Sequence, residues 1–469
     1  MKRTLIALIL ALSMLLGLCA LASASDFDSA AQELSEIGVF RGTGGGFELD
    51  RAPTRAEAAV MLTRLYGAEE SAEELYRDGE ISHPFTDVPD YAGTSVAWLY
   101  AKGLTKGVSQ TAFGAAQACG FKDYAVFLLR ALGYRDGVDF SYADALEFAQ
   151  KVGFYNPAVY TGSFLRDDLA GLTYDALCTD LKDGSTYLLK SLVDTGAIEK
   201  VRAAKLLEKA EAFRALFRAS DGFDSTAIDM DYTMNLTMFT PGGSASDKVF
   251  VRSSGNVKFL LPKLQMDYTM KLSAEGESAE LHIWMKDGMY YISQDGEQYR
   301  LDLSQLPQMQ QLQSLMTEVP SQTVSSGMSG LSYLSDIKTT GSGSASVYTV
   351  KIPAKTVQRL LEDALRQTGS AEMADMIQSS GLVFTKELTV SYTVSGGRLT
   401  KIGVDMGMQY SDIVYLADTN GTQSEIPYNM GLDLSMDMSI RASGSAVKIT
   451  FPDFSGFVSM DPETMARGT

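Results

Sequence analysis

The chain has 469 residues, of which 45% are hydrophobic, and a formal net charge of −18 at pH 7. A chain of this length can form two or three separate cores. Its acidic balance excludes nucleic acid and anionic lipid surfaces as expected partners, because both require a basic protein surface.

The start of the chain has the pattern of a secretory leader. A short basic start precedes an apolar run at 5–18, and Ala22-Ser23-Ala24 supplies the small residues that signal peptidase accepts. We therefore predict a signal peptide at 1–24 and a secreted mature chain without a transmembrane span. An uncleaved membrane anchor is the alternative. Lipid attachment at Cys19 is disfavoured because Leu18 precedes it.

The region from about 25 to 190 is internally repetitive. Three short segments with apolar residues three or four apart each end in a glycine suited to a left-handed helix C-cap; these glycines are Gly38, Gly103 and Gly153. A single helix–loop–helix unit cannot bury its apolar face alone. We therefore predict an all-α bundle of three repeats, at about 25–70, 84–135 and 138–190.

This array resembles the S-layer homology (SLH) domain. Thr54-Arg55-Ala56-Glu57 matches the Thr-Arg-Ala-Glu start of that domain's second helix, and Phe85-Thr86-Asp87-Val88 matches its opening Phe-x-Asp-Val motif. The turns Gly38 to Gly42 and Gly103 to Gly107 match its glycine turn. The resemblance covers about residues 26–190.

The resemblance is uneven between the repeats. The second repeat has Gly120-Phe121-Lys122-Asp123 in place of Thr-Arg-Ala-Glu, so its arginine is missing. The third keeps a partial version, Leu165-Arg166-Asp167-Asp168. We therefore expect one or two working grooves out of three.

The resemblance implies a partner and a set of contacts. SLH domains bind secondary cell-wall polysaccharide in grooves between repeats, and a pyruvylated polymer would offer carboxylates to arginine. The candidate polysaccharide-binding residues are Arg55 and Arg166 as carboxylate ligands, Asp87 as hydroxyl acceptor, Trp98 as a stacking face, Arg41 and Lys106 as added charge, and Thr54 with Glu57. Thr54 and Glu57 also form a helix capping box, and Trp98 is equally compatible with the core.

Residues 186–218 have a continuous helical pattern, and we predict a helical connector at 191–220. From 221 onward apolar and polar residues alternate, as in Met230 to Met238, which is typical of antiparallel strands with one buried face. We predict a multidomain α + β protein in which 221–469 forms a curled sheet, or half-barrel, around helices at 303–319 and 353–378.

The β region resembles the half-barrel fold of the LolA, LolB and LppX group of envelope lipid carriers. The resemblance rests on the strand layout, with Gly288 to Ile292 and Gln298 to Arg300 as tyrosine-rich strands. Five methionines, which suit adaptable apolar surfaces, are candidates to line a hydrophobic-ligand cavity: Met230, Met234, Met266, Met406 and Met436. The alternative is that they pack against the predicted helices.

Residues with catalytic or metal-binding chemistry are sparse. The two histidines, His83 and His282, lack ligand spacing, and no residues suit a catalytic triad. Cys119 and Cys178 are expected to be buried free thiols. We expect no metal, no cofactor and no enzymatic activity. The predicted function is a non-catalytic cell-wall or S-layer surface protein, anchored to secondary cell-wall polysaccharide and displaying a β-rich domain. The alternative is an anchored carrier or sensor that binds a lipid or other hydrophobic ligand in the half-barrel, and a less favoured one is an anchored polysaccharide hydrolase.

Overall fold

A computed structural model describes residues 27–157, 159–160, 162–220, 223–224, 226–240, 248–294, 296–302, 330–341, 345–359, 382–417 and 423–459, with the side chains of 411–428 left aside. The predicted signal peptide at 1–24 and the predicted helix at 303–319 lie outside these ranges. The predicted helix at 353–378 is described only in part, and there 354–359 is helical.

The chain divides into two compact units. The helical unit takes in Ser23–Ala215 and Val324–Ser335, and the sheet unit takes in Leu216–Thr323 and Asp336–Thr469. The mixed helical and antiparallel-strand content predicted from the sequence is confirmed. Among the helices that the structure describes, none is both long and apolar enough to cross a membrane.

The helical unit is built from α-helices. In chain order they are α1 (Asp28–Glu36), α2 (Arg55–Leu65), α3 (Glu69–Arg77), α4 (Asp90–Ala101), α5 (Phe121–Ala131), α6 (Ala145–Val152), α7 (Arg166–Leu177), α8 (Leu188–Asp194) and α9 (Lys200–Ser220). The three predicted C-cap glycines have positive φ angles, of 84° at Gly38, 70° at Gly103 and 105° at Gly153. This left-handed backbone ends each first helix of a repeat.

The helix packing is cyclic. The first helix of one repeat packs on the second helix of another: α4 on α2, α6 on α5, and α1 on α7. The last pair brings the first and third repeats together, and the core beneath holds fully buried aromatic side chains such as Phe27, Tyr124 and Tyr174. Three units that each lack a complete core thereby share one.

Two features of the helical unit differ from the sequence-based expectation. The helix α3 was not predicted, and it buries only Ala72 among its residues. The predicted continuous helix at 186–218 is wrong, because α8 and α9 are separate helices with Gly196 between them at a φ of 79°. A residue in this left-handed conformation ends a helix rather than continuing it.

The sheet unit contains thirteen described strands. They are β1 (Ala227–Phe239), β2 (Val249–Leu260), β3 (Gln265–Ala274), β4 (Glu277–Lys286), β5 (Met289–Gln294), β6 (Glu297–Asp302), β7 (Asp336–Thr340), β8 (Ala345–Ile352), β9 (Val383–Phe384), β10 (Leu388–Ser395), β11 (Arg398–Ala417), β12 (Gln423–Ser443) and β13 (Val458–Ser459). The order across the sheet is β13-β6-β5-β4-β3-β2-β1-β12-β11-β10-β8-β7, and β9 pairs with β11. The β13–β6 pair is parallel and the other pairs are antiparallel.

The strand register places apolar side chains on one face. Met234 lies opposite Met436, and Met436 lies opposite Val404 on the next strand. These residues belong to a continuous buried cluster across the sheet. The two-residue period of the sequence therefore corresponds to one buried and one polar face.

Candidate functional site

The second helix of the first repeat begins with a capping box. The Thr54 hydroxyl oxygen accepts from the backbone N–H of Glu57 at 3.2 Å, and the backbone N–H of Thr54 donates to the Glu57 carboxylate at 2.9 Å. The capping role predicted for this pair is therefore confirmed. Burial alone would raise the pKa of Glu57, but hydrogen bonds from Arg51 and Thr54 lower it below its ordinary value.

The first turn of α7 docks on a loop of the first repeat. The backbone N–H of Arg166 donates to Arg51 O at 2.9 Å, and that of Asp167 donates to Leu49 O at 3.1 Å. The first amides of a helix have no partner inside the helix. The loop of another repeat supplies these partners, which fixes where the Arg166 side chain enters.

The start of α2 docks on the second repeat in the same way. Here the backbone N–H of Arg55 donates to Gln117 O at 3.0 Å, and that of Ala56 donates to Ala115 O at 3.1 Å. Arg55 and Arg166 thus occupy equivalent places at two different interfaces between repeats.

A pocket of about 160 Å³ lies beside the start of α7, and we call it the first groove. It is lined by Phe40, Arg41, Gly42, Thr43, Glu57, Val60, Met61, Arg64, Tyr91, Arg166 and Leu169. The lining contains three arginines and one carboxylate, although the whole chain has a formal net charge of −18. A local surplus of positive charge attracts anions.

The Arg166 side chain forms the buried wall of the first groove. Its Nε donates to Phe47 O at 2.9 Å and its Nη2 to Arg41 O at 3.1 Å, while its Nη1 lies 3.6 Å from the Glu57 carboxylate. Its guanidinium also lies over the Phe40 ring, 4.9 Å from the centroid. Desolvation lowers the pKa of Arg166 below its ordinary value, and Glu57 opposes that shift.

The other two arginines of the first groove are more accessible. Arg41 and Arg64 both pair with Glu69, at 2.6 Å and 2.8 Å, and the Arg41 side chain is 54% exposed. Surface ion pairs of this kind are weak. A ligand carboxylate can therefore compete with Glu69 for the two guanidinium groups.

The exposed aromatic residue of the first groove is one that the sequence analysis missed. Tyr91 lines the groove and is 64% exposed. Trp98, the predicted stacking residue, is only 8% exposed and packs against Tyr66 with a centroid distance of 5.4 Å. Tyr91 precedes the regular apolar pattern of α4, so no periodicity indicated its position.

The interface between the first and second repeats has a similar set of arginine contacts. Arg55 Nη1 lies 2.9 Å from the Asp123 carboxylate, and Arg55 Nε donates to Phe113 O at 3.2 Å. This ion pair corresponds to that of Arg166 with Glu57. The Arg55 side chain is buried like that of Arg166.

The interface between the first and second repeats also contains two basic residues and an exposed tyrosine. Lys106 and Arg130 both approach Asp136, at 3.3 Å and 3.4 Å, as Arg41 and Arg64 share one carboxylate in the first groove. Tyr142 is 53% exposed, and its hydroxyl donates to Asp123 at 3.2 Å. We call Arg55, Lys106, Asp123, Arg130, Asp136 and Tyr142 the second cluster.

The interface between the second and third repeats is different, because an aromatic residue stands where the other two interfaces have Arg55 or Arg166. Phe121 stands at the position of Arg55, and its ring lies 4.8 Å from that of Phe164 and 6.2 Å from those of Tyr155 and Tyr160. Apolar packing replaces the ion pair, as the missing arginine of the second repeat indicated.

Asp87 fixes a backbone loop at the interface between the first and second repeats. Its carboxylate accepts from the backbone N–H groups of Phe113 at 2.7 Å, Gly114 at 2.7 Å and Ala115 at 3.2 Å. Slight burial raises the pKa of Asp87, but these three amides more than offset it, so the pKa falls below its ordinary value. Asp87 holds the loop that supports Arg55, and its predicted role as a sugar ligand stays a prediction.

The five methionines named as candidate ligand contacts lie along the apolar face of the sheet. Met234, Met406 and Met436 are buried members of its core cluster, and Met266 packs against that cluster. Met230 is half-buried. Mutual packing accounts for the three buried side chains without a ligand.

The polar face of the sheet brings acidic residues close to a base. Lys386 Nζ lies 3.0 Å from Asp405 and 3.1 Å from Asp433. Within the described ranges, no group of three or more His, Cys, Asp or Glu side chains could hold a metal ion. Cys119 and Cys178 are free and buried, as expected.

Comparison with known proteins gives two partial relatives. No protein-family profile matches the chain. It is 30% identical over 149 residues to a protein named cell surface protein from Thermoanaerobacter kivui, covering 31% of this chain and 19% of that protein. It is 25% identical over 169 residues to a protein named middle cell wall protein from Brevibacillus brevis, covering 34% of this chain and 15% of that protein. The chain thus spans less than a fifth of each relative.

Proposed function

We propose that the protein is a non-catalytic surface protein whose helical unit anchors it to an anionic secondary cell-wall polysaccharide. The sheet unit is then the part displayed outside the anchor, and the helical repeats belong to the SLH type. The names of the two relatives and the motifs at Thr54 and Phe85 support this proposal.

The observation that carries the proposal is the arginine-rich first groove. Arg41, Arg64 and Arg166 converge on a pocket with Tyr91 at its edge. Arginine binds planar carboxylates through two parallel hydrogen bonds. Tyrosine offers an apolar ring face together with a hydroxyl group. This combination fits a sugar that carries a carboxylate, such as a pyruvylated residue.

The second cluster supports binding at two points. It offers the same types of group in the same relative positions as the first groove, with Arg55 and Lys106 as its counterparts to Arg166 and Arg41. Two weak sites on one polymer act together, because the second contact becomes intramolecular. The third interface, closed by Phe121, is not expected to contribute.

Substitution of the exposed cations tests the proposal without disturbing the buried arginines. Arg41 and Lys106 have side chains that are 54% and 69% exposed, and their replacement leaves the carbonyl partner of Arg166 in place. In the full chain we expect each of Arg41→Ala and Lys106→Ala to weaken binding to isolated wall polymer about three- to tenfold. The double variant should lose about the product of the two effects.

Arg77→Ala is the matched control, because the Arg77 side chain is 67% exposed, pairs with the neighbouring Asp78 and lines neither site. Its affinity should equal that of the wild type. If the double variant also binds as the wild type does, the grooves are not the binding sites and the proposal fails.

A further inference from the structure

A short stretch between two strands of the sheet belongs to the helical unit. Gly330 to Ser335 belong to the helical unit, and β7 of the sheet unit begins at the next residue, Asp336. In its described part, a 3₁₀ turn at Leu331–Tyr333 packs on α7 and α1.

The first polar contact of this stretch is with a wholly buried carboxylate. Asp175 of α7 accepts from the backbone N–H of Ser332 at 3.1 Å, the Ser332 hydroxyl at 3.1 Å and the backbone N–H of Gly330 at 3.3 Å. Nearby backbone N–H groups that converge in this way form an anion-binding concavity. The stretch thus binds α7 through the charge of Asp175.

A second buried charge holds the other end of the stretch. Lys209 of α9 donates to Leu334 O at 2.7 Å. Between the two polar contacts, Leu331 is fully buried and the Tyr333 ring stacks on Phe27 at 5.4 Å. Six residues therefore make two charge-assisted contacts and two apolar ones.

Both charges have a second partner that does not depend on this stretch. The Tyr160 hydroxyl donates to Asp175 at 2.7 Å, and Lys209 lies 3.1 Å from the Glu33 carboxylate. A buried charge with no partner is costly. Because each charge keeps a partner when the stretch leaves, the helical unit has an alternative state without an orphaned charge.

We propose that Gly330 to Ser335 form a reversible latch, which docks on the helical unit through Asp175 and Lys209 and undocks while the repeats stay folded. Undocking frees six residues, which can span about 20 Å when extended. The proposal is independent of polysaccharide binding, since it uses none of the groove residues.

Hydrogen exchange of the full chain, followed by mass spectrometry, tests the latch. Ser332→Ala removes the hydroxyl bond to Asp175, and Asp175→Asn removes the charge. In both variants we expect the amides of 330–335 to exchange about tenfold faster, while those of α2 and α5 keep their wild-type rates. Ser455→Ala is the control, because its hydroxyl donates to Asp453 at the surface.

Two results would overturn the latch. Unchanged exchange at 330–335 in both variants would show that the Asp175 contacts do not hold the stretch. Equal acceleration at 330–335, α2 and α5 would show that the stretch opens only when the whole helical unit unfolds.

Discussion

At the scale of single residues, Asp175 makes the stability of the helical unit depend on pH. Burial raises the pKa of its carboxyl to about 7, although Tyr160, Ser332 and Gly330 donate to it and oppose the shift. The neighbouring ionisable groups include Tyr160, which donates to it, Tyr174 on the same helix, and Cys178 at the C-cap of that helix. Near pH 7 the folded-state carboxyl is therefore about half protonated and above that pH it is ionised, whereas the unfolded-state carboxyl is already ionised.

The consequence is a defined pH dependence of stability. Between the ordinary pKa of 3.8 and about 7, the folded state binds more protons than the unfolded state. The contribution of Asp175 to the free energy of unfolding therefore falls as pH rises from about 4 to 7 and is constant above. We expect Asp175→Asn to remove this slope.

Urea unfolding measured between pH 4 and 8 checks this prediction. The chain has two tryptophans, Trp98 in the helical unit and Trp284 in the sheet. In a Trp284→Phe background, fluorescence reports the helical unit alone. Parallel slopes in this background with and without the Asp175→Asn substitution would contradict the assignment.

The positions of the site arginines could be predicted from the motif, but their partners could not. Arg55 and Arg166 were identified by their place at the start of a helix. Their carbonyl acceptors, Phe113 O and Phe47 O, lie 58 and 119 residues away along the chain. Contacts across such separations depend on how the repeats pack, which one sequence pattern does not specify.

At the scale of elements, the strongest periodic patterns were predicted correctly and the weakest was missed. The repeat helices carry regular apolar residues, and their glycines mark the ends. Helix α3 has mostly charged residues and one buried residue, Ala72, so apolar periodicity did not indicate it. The break before α9 depended on Gly196, a single residue inside a helical pattern.

The close packing of α7 against Phe27 predicts that alanine in place of Gly171 destabilises the helical unit. A Cβ on Gly171 would lie 2.6 Å from the Phe27 ring. Alanine favours a helix over glycine by about 1 kcal/mol, but overpacking of a rigid ring costs about 1–3 kcal/mol. We therefore expect Gly171→Ala to lower the free energy of unfolding of the helical unit by up to about 2 kcal/mol.

Gly93→Ala is the matched control for this prediction. A Cβ there would meet only the end of the Tyr76 side chain, at 3.3 Å, so the substitution should be neutral or stabilising by up to about 1 kcal/mol. Chemical unfolding followed by Trp98 fluorescence in the Trp284→Phe background compares the two. A stabilised Gly171→Ala variant would contradict the packing described for α7.

At the scale of the whole molecule, strand alternation predicted an antiparallel sheet but not its order. β1 pairs with β12, so that Met234 lies opposite Met436 from the far end of the chain. Likewise, no sequence pattern separated 330–335 from the strands around it. Both features are long-range, and hydrophobic periodicity carries only local information.

The two units carry different chemical features. The helical unit holds the first groove and the second cluster, while the sheet unit carries the methionine-rich core. In this account the helices attach the protein and the sheet is displayed. We propose the wall polymer, rather than peptidoglycan, as the target of the helical unit.

The most direct test is retention of the full chain on purified cell-wall sacculi before and after the non-peptidoglycan polymer is removed chemically. We predict at least about tenfold weaker binding to the stripped sacculi, with the Arg41→Ala, Lys106→Ala double variant weak on both. Equal binding of the wild-type chain to intact and stripped sacculi would contradict the account.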